Sequence, residues 1–395
     1  MRVLAVLLCV AGCAARSPDP APPSPTAAPG GPADPVMTAE IQRIEAMLVE
    51  EPDNTPYMYV LATYYDRVRD GDRAVMTLER LARKGWDLGV GPDFPNTGDT
   101  PAFRAVAARL DARVTPVHRA SEAFRFPRRR DVRSEGCAYD PVDDRFYYSG
   151  GAGTLLRVDR EGAIEEVAVD PVGRKFGRLG MDVDAGRRQL WAVSAAFDPS
   201  ADPDEQGRSG VSVYDLRDGR LLRRVMAGSA AEPWLLNDMT LLADGTAYVS
   251  DTGRDAVVRL APGADRFETF AAGLSSPNGV VVSADERTLY VADFRGLNAI
   301  DLATGARELL RAATLLHGID GLLEHRGALV GIQNVIGGPR VVRVHTRDGN
   351  RVEVLESQNA LLDTPATGVV AGDEYFFMAN LAQKDVDRVV LRIAL

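Results

Sequence analysis

Two stretches in the middle of the chain follow the same pattern, and this repeat constrains the fold more than any other feature. The first runs from Leu236 to Gly253 and the second from Pro277 to Gly296. Each contains an apolar run, a polar turn, a second apolar run and a terminal aspartate, which is Asp251 or Asp293. Short apolar and β-branched runs separated by Asp/Gly turns are typical of strands joined by hairpins. A strand repeat of this length predicts the blades of a β-propeller.

The same register continues from Ser134 to the C-terminus. The first strand of each repeat can be aligned on one position, which recurs every 41 to 58 residues. The aligned residues are Glu135, Leu179, Asn237, Asn278, Asp320 and Thr367. The longest interval contains a polar surface insertion from Phe197 to Gly207. Six repeats account for this part of the chain, so we predict a mainly β fold, with a six-bladed β-propeller over residues 121–395.

A basic segment from Ser121 to Arg133 precedes the first repeat. We interpret it as a solvated linker. Its Phe124–Phe126 segment offers an alternative, in which it closes the propeller as an outer strand.

Residues 37–120 are predicted to form a small helical region, because apolar residues recur there at helical spacing. Thr55–Arg69 and Asp72–Lys84 should form a hairpin with the spacing of one tetratricopeptide repeat, and Pro101–Ala112 should form a further helix. A single repeat cannot bury its own apolar face, since solenoid units depend on their neighbours for a core. We interpret the region as a helical cap packed on the main domain, with a groove for a protein partner as the alternative.

The N-terminus has the features of a bacterial lipoprotein signal. A basic start precedes an apolar run from Val3 to Val10, which is too short to span a bilayer. The following V-A-G-C sequence resembles a lipobox, in which the chain is cut before a cysteine that receives lipid. We predict a signal peptide over residues 1–12, a Pro/Ala-rich linker over residues 13–36 and lipidation of Cys13. A plain secretory signal cut near Ala15 is the alternative.

The predicted location is the periplasmic face of the outer membrane, with the lipid as the membrane anchor. Ala14 follows the lipidated cysteine, where an aspartate would resemble an inner-membrane retention signal. If Cys9 leaves with the signal and Cys13 is acylated, only Cys137 remains, so no internal disulfide is expected. The net charge is −10 with no basic stripe, which argues against a nucleic acid partner.

The six aligned positions should form a ring, because the inner strands of a propeller surround one axis and start on one face. Four of them carry side-chain oxygens, namely Glu135, Asn237, Asn278 and Asp320. Two carboxylates without a nearby Lys or His would repel each other, and a hard divalent cation would relieve this repulsion. The absence of His and Cys ligands favours calcium, with magnesium and zinc as alternatives. The competing interpretation is that these residues only cap strand starts and turns.

Further candidates lie around this ring. The ends of the second strands return to the same face, and Gln333 and Asn334 there are candidate substrate-binding residues. His317 lies three residues before Asp320 and is a candidate proton shuttle at the mouth, with an ordinary loop residue as the alternative. Strict strand alternation predicts that Asp238 points away from the site.

The motifs around the ring resemble those of the senescence marker protein/gluconolactonase-like propellers, which are related to paraoxonases and diisopropylfluorophosphatase. The resemblance rests on S-E-G at 134–136, L-N-D at 236–238, P-N-G at 277–279 and I-D-G at 319–321. It implies that Glu135, Asn278 and Asp320 bind the metal and that Asn237 lies beside the metal and the substrate. It also implies hydrolysis of lactones and related esters, with Asp320 as the base.

One departure from that family concerns substrate binding. Sugar-lactonase members often carry an arginine two residues before the N-D asparagine, where this chain has Leu235 behind Trp234. The change suggests a more apolar pocket, with Trp234 as a further candidate substrate contact. We therefore expect a metal-dependent lactone or ester hydrolase, in which the ion polarises the carbonyl. The alternative is a non-catalytic propeller that binds a ligand or protein and carries a structural metal.

Overall fold

The computed structural model describes residues 35–126, 133–149, 154–169, 177–196, 204–380 and 386–395. The described residues fall into two compact units: one contains residues 35–115 with 336–338, and the other contains the remainder from residue 116 onward. The predicted signal peptide, Cys13 and most of the predicted linker lie outside the described residues. Within the described part of the chain, no helix is long and apolar enough to cross a membrane.

The first unit is helical. Its helices are α1 (Pro35–Glu50), α2 (Thr55–Arg67), α3 (Gly71–Arg83) and α4 (Pro101–Asp111). The predicted hairpin is present as α2 and α3, and the tetratricopeptide assignment stays a prediction. Side chains of Asn54, Asp70 and Thr100 accept a backbone N–H at the starts of α2, α3 and α4, which satisfies one of the unpaired donors at each helix start.

The second unit consists of six antiparallel sheets. The first two blades are β3 (Arg133–Asp140), β4 (Arg145–Ser149), β5 (Thr154–Val158) and β6 (Ile164–Val169), then β7 (Gly177–Asp184), β8 (Gln189–Ala195), β9 (Arg208–Asp215) and β10 (Leu221–Gly228). The next two are β11 (Leu236–Leu241), β12 (Ala247–Asp251), β13 (Ala256–Leu260) and β14 (Glu268–Ala272), then β15 (Val280–Val282), β16 (Thr288–Asp293), β17 (Gly296–Asp301) and β18 (Arg307–Leu309). The predicted six-bladed propeller is confirmed.

The fifth blade contains β19 (Ile319–His325), β20 (Ala328–Gln333), β21 (Arg340–His345) and β22 (Arg351–Ser357), with the two-residue strand β1 (Val117–His118) added at its edge. The sixth contains β23 (Gly368–Ala371), β24 (Glu374–Met378) and β25 (Arg388–Ala394). Its fourth strand is β2 (Ser121–Phe126), which pairs antiparallel with β25 and places Phe126 opposite Arg388. The alternative interpretation of Phe124–Phe126 is therefore right, while residues 127–132 of the predicted linker lie outside the described part.

The first strands of the blades form a closed ring. Each of β3, β7, β11, β15, β19 and β23 contacts the next, and β23 contacts β3. The glycines that directly follow three of the aligned positions show how closely neighbouring first strands approach each other. A Cβ atom would lie 2.2 Å from Leu179 O at Gly136, 2.2 Å from Asp320 O at Gly279 and 2.4 Å from Thr367 Oγ1 at Gly321. These gaps leave no room for a side chain, which shows that the aligned positions lie next to one another around one axis.

Candidate functional site

Asp320 is the centre of the candidate site, at the second position of β19. The Asn278 Nδ2 group donates a hydrogen bond of 2.6 Å to Asp320 Oδ1. The Asn334 Nδ2 group donates one of 3.0 Å to Asp320 Oδ2. Asn278 precedes β15 in the fourth blade, and Asn334 follows β20 in the fifth. Both carboxylate oxygens are therefore held by amides, and three of the predicted residues come together.

Glu135 shares the electrostatic environment of Asp320. Burial raises the pKa of Glu135 to about 8, and the charge of Asp320 adds to this rise. Burial also raises the pKa of Asp320 to about 6, while the hydrogen bonds from Asn334 and Asn278 act in the opposite direction. Two interacting carboxylates with raised pKa values form a site that favours either a proton or a cation.

Asn237, unlike Asn278 and Asn334, donates its side-chain hydrogen bond to a residue other than Asp320. Its Nδ2 group donates a hydrogen bond of 3.1 Å to Thr252 Oγ1. The Thr252 hydroxyl in turn donates one of 2.6 Å to the carbonyl oxygen of Pro277, the residue before Asn278. Thr252 is buried and joins the two asparagine motifs, and sequence reasoning missed it. Its place directly after the second strand of the repeat is the signal that would have found it.

The expectation that Asp238 points away from the site is wrong. A β-bulge between Leu236 and Met239 breaks the alternation of β11, and Asp238 lines the central channel. Its carboxylate accepts hydrogen bonds from Met239 N at 2.9 Å and from Val280 N in the next blade at 3.2 Å. Burial raises the pKa of Asp238 to about 7, and the charges of Asp320 and Asp182 add to this.

Asp182 makes the same kind of link one blade earlier. Its carboxylate accepts hydrogen bonds from Val183 N at 2.7 Å and from Leu241 N in the next blade at 3.0 Å. Burial raises its pKa to about 6. With Glu135 and Asp238 it lines a central channel of about 280 Å³. Carboxylates in this channel thus also serve to connect neighbouring blades.

Gln333 holds the loop that precedes Asp320. It is fully buried, and its Nε2 group donates hydrogen bonds to the carbonyl oxygens of Leu315 at 3.0 Å and of His317 at 2.8 Å. Its Oε1 atom accepts a hydrogen bond of 2.7 Å from Arg340 Nε. The Gln333 amide is therefore engaged with the backbone of this loop. Arg340, which is buried and begins β21, is a second residue that sequence reasoning missed.

His317 and Asn334 each present a buried polar atom without a partner. His317 Nδ1 and Asn334 Oδ1 have no hydrogen-bond partner among the described residues. Burial lowers the pKa of His317 to about 4, so its imidazole is neutral at physiological pH. Buried polar atoms nearly always have a hydrogen-bond partner in folded proteins, so these two unpartnered atoms are candidates to contact a bound ligand.

Trp234 lies three residues before Asn237 and is half-buried. Its ring packs against Phe267 with centroids 6.0 Å apart, and the Arg254 Cζ atom lies 4.0 Å from its centroid. Trp234 and Leu235 both pack against the hydrophobic cluster shared by the second and third blades. Position 235 is therefore a leucine, while an arginine from the turn after β12 contacts the neighbouring Trp234.

The donor set fits a hard divalent cation only with help from amide oxygens. Among the described residues, no group of three or more His, Cys, Asp or Glu side chains is arranged to hold a metal. Glu135 and Asp320 would supply two negative charges. A half-turn of the Asn278 amide would bring its oxygen to the place where Nδ2 now contacts Asp320. Asn334 Oδ1 is an unpartnered oxygen on a residue that already contacts Asp320. Two carboxylates and neutral oxygens are the ligands that calcium prefers.

The raised carboxylate pKa values predict a pH-dependent stability for the metal-free protein. Glu135, Asp238, Asp320 and Asp182 have folded pKa values of about 8, 7, 6 and 6, above the usual 4.5 for Glu and 3.8 for Asp. The folded state therefore holds protons that the unfolded chain releases. This stabilisation is fully present below the unfolded pKa values and is lost as the pH rises through the folded ones.

In chelator, we expect the free energy of unfolding to fall by about 2 kcal/mol or more between pH 5 and pH 8. Denaturant unfolding at four pH values across this window measures the effect. Calcium should reduce the fall, because it replaces the lost protons at Glu135 and Asp320. A free energy of unfolding that stays level or rises with pH in chelator would contradict the raised pKa values of these four carboxyl groups.

Comparison with known proteins places no family on this chain. No family model and no curated protein matches the sequence. Similar solved structures include the aldose sugar dehydrogenase of Streptomyces coelicolor in its PQQ-bound form, at 15% identity and a TM-score of 0.48 over 71% of this chain and 100% of that one. The virginiamycin B lyase of Staphylococcus aureus matches at 13% identity and a TM-score of 0.47 over 70% of this chain and 98% of that one. Such distant similarity does not bear on activity, and the fold follows from the strand pairing itself.

Proposed function

We propose that the propeller is a divalent-metal-dependent hydrolase of lactones or related esters, resembling the senescence marker protein/gluconolactonase-like family. The observation that carries this proposal is the convergence of Asn278 and Asn334 on Asp320, beside the electrostatically coupled Glu135. Glu135, Asn278 and Asp320 would hold the ion, and Asn237 would lie next to it. Calcium is the proposed ion because all these donors are hard oxygens.

The residues around Asp320 suit a hydrolytic site. A divalent cation bound there would polarise the substrate carbonyl and favour attack by water. Asp320 is the proposed general base, and its two amide partners fix the direction in which its carboxylate faces. His317, kept neutral by burial, is the proposed proton shuttle. Gln333 and Arg340 would act indirectly, by holding the loop of His317 in place.

The competing proposal is a non-catalytic propeller that binds a ligand or protein around a structural ion. The carboxylates of Asp182 and Asp238 favour it, because both line the channel and yet link neighbouring blades. Acidic residues around this axis can therefore be structural. A protein partner on the helical unit belongs to the same proposal.

A hydrolysis screen distinguishes the two. The purified protein is assayed on a small set of lactones and aryl esters, with calcium and with chelator, and its metal content is measured by elemental analysis. A hydrolase should turn over at least one class with calcium and lose that activity in chelator. Bound ion without turnover of any substrate would favour the binding propeller. Protein that takes up no divalent ion in titration would exclude the metal site.

The proposed location is the periplasmic face of the outer membrane, through lipidated Cys13, and it is drawn from the sequence of residues 1–13 alone. Mass spectrometry of the mature N-terminus tests it. A Cys13→Ala variant that stayed acylated and equally membrane-bound would refute it.

A further inference from the structure

Arg254, in the turn after β12, and Trp234, in the loop before β11, form a stacked pair. The guanidinium carbon of Arg254 lies 4.0 Å from the centroid of the Trp234 ring, a close cation–π contact. Trp234 itself packs against Phe267 and against the hydrophobic cluster shared by the second and third blades. A guanidinium whose face rests on an indole keeps its N–H groups along its edge, where they can pair with a carboxylate through two hydrogen bonds.

The charge of Arg254 is only loosely paired within the protein. Its NH1 group lies 3.7 Å from Asp251 Oδ2, too far for a hydrogen bond. Neither of these two atoms has a hydrogen-bond partner among the described residues. The other oxygen of Asp251 accepts from the backbone N–H groups of Leu235 and Arg254, so this aspartate is committed to the turn. About a quarter of the Arg254 side chain, 27%, remains exposed to solvent.

Hydrogen bonds link the segments that carry this pair to the candidate site. Arg254 follows Thr252 by two residues in the turn after β12, and Thr252 accepts the hydrogen bond from Asn237. The same hydroxyl donates to Pro277, next to Asn278. Trp234 precedes Asn237 by three residues on the adjoining loop, and Thr252 N donates to Leu235 O at 2.9 Å. Two hydrogen-bonded segments therefore connect the stacked pair to the asparagines of the site.

We propose that Arg254, supported by Trp234, binds a carboxylate of the substrate and makes the site selective for acidic esters or lactones. This inference rests on the proposed hydrolase for its substrate class, while the anion-binding role of Arg254 can be tested by itself. It also revises the expectation of an apolar pocket, because a cation from the turn after β12 contacts Trp234, the residue before Leu235.

The activity test compares two esters that differ in one charge: mono-4-nitrophenyl glutarate and its methyl ester. For wild type we expect a higher kcat/KM on the acid. In Arg254→Gln the ratio of acid to neutral kcat/KM should fall tenfold or more, mostly through KM, because charge-assisted hydrogen bonds are the strong ones. Arg254→Lys keeps the charge without the planar fork and should retain an intermediate ratio. The control is Arg259→Gln, which removes an arginine of β13 that is partly exposed and paired with Glu268 of β14. In this control the ratio of acid to neutral kcat/KM should not change.

Calorimetric titration of glutarate tests the same inference without turnover. Wild type and Arg259→Gln should bind the dianion, and Arg254→Gln should bind it at least tenfold more weakly. Circular dichroism and thermal unfolding verify that each variant is folded. If no ester is hydrolysed but glutarate binding depends on Arg254, the inference stands and the hydrolase proposal fails. An equal acid-to-neutral ratio, or equal glutarate binding, in wild type and Arg254→Gln would overturn the inference.

Discussion

Asp320→Asn is expected to lower the turnover of any ester that the wild-type protein hydrolyses by about a thousandfold, the range of a lost general base. The substitution keeps the size of the side chain but removes one of the two ligand charges of the site. It also leaves an amide opposite the Asn278 and Asn334 amides that now donate to the carboxylate. Metal affinity should therefore fall together with turnover.

The matched control is Asp182→Asn, an isosteric change at another buried carboxylate, which lines the central channel with Glu135 and Asp238. Burial raises the pKa of Asp182 to about 6, so loss of its charge costs less than it would for an exposed aspartate. Its carboxylate accepts one hydrogen bond from Val183 N in its own strand and one from Leu241 N in the next blade, and none from a residue that contacts Asp320. This variant should retain its ion and its activity. Elemental analysis and kinetics on both variants measure the two effects. If Asp320→Asn hydrolysed esters normally with its ion bound, the site would stand and the assignment of the base would be wrong.

Gly279→Ala is expected to destabilise the propeller by about 3 kcal/mol, the upper range for overpacking. The added Cβ would lie 2.2 Å from Asp320 O and 2.9 Å from Leu322 N. Both are backbone atoms of β19, so the clash cannot be relieved by rotating a side chain. The inner strands of the fourth and fifth blades must separate, and the hydrogen bond between Asn278 and Asp320 lengthens with them. Metal affinity should fall as well.

Gly186→Ala is the control for this substitution. A Cβ atom at Gly186 would lie 3.5 Å from Asp184 Oδ1, which is an ordinary van der Waals contact. The backbone of Gly186 is also not in the left-handed region. Its free energy of unfolding should stay within about 1 kcal/mol of wild type. Denaturant unfolding of the three proteins gives the comparison. Equal stabilities for the two variants would mean that Gly279 is not required for the contact between blades.

The blades could be predicted from the sequence repeat because a propeller blade is a local unit of the chain. Each blade is a set of consecutive hairpins, so the strands, turns and spacing are encoded within about 40 residues. The glycines at 136, 279 and 321 could be aligned for the same reason, and the close approach of neighbouring inner strands explains why they are glycines. The closing strand at Phe124–Phe126 was harder to assign, since its partner β25 lies at the other end of the chain.

The sequence by itself therefore determined the blade register and the ring in which Glu135, Asn278 and Asp320 lie. Only the tertiary structure decided which atoms meet. A bulge turns Asp238 into the channel, which strict alternation does not foresee. Gln333 is engaged by the loop of His317, and Arg254 stacks on Trp234 across a turn, because these contacts join segments that the repeat treats separately. Strand periodicity is a local property of the backbone, whereas the direction of a side chain at a bulge or loop depends on what packs against it.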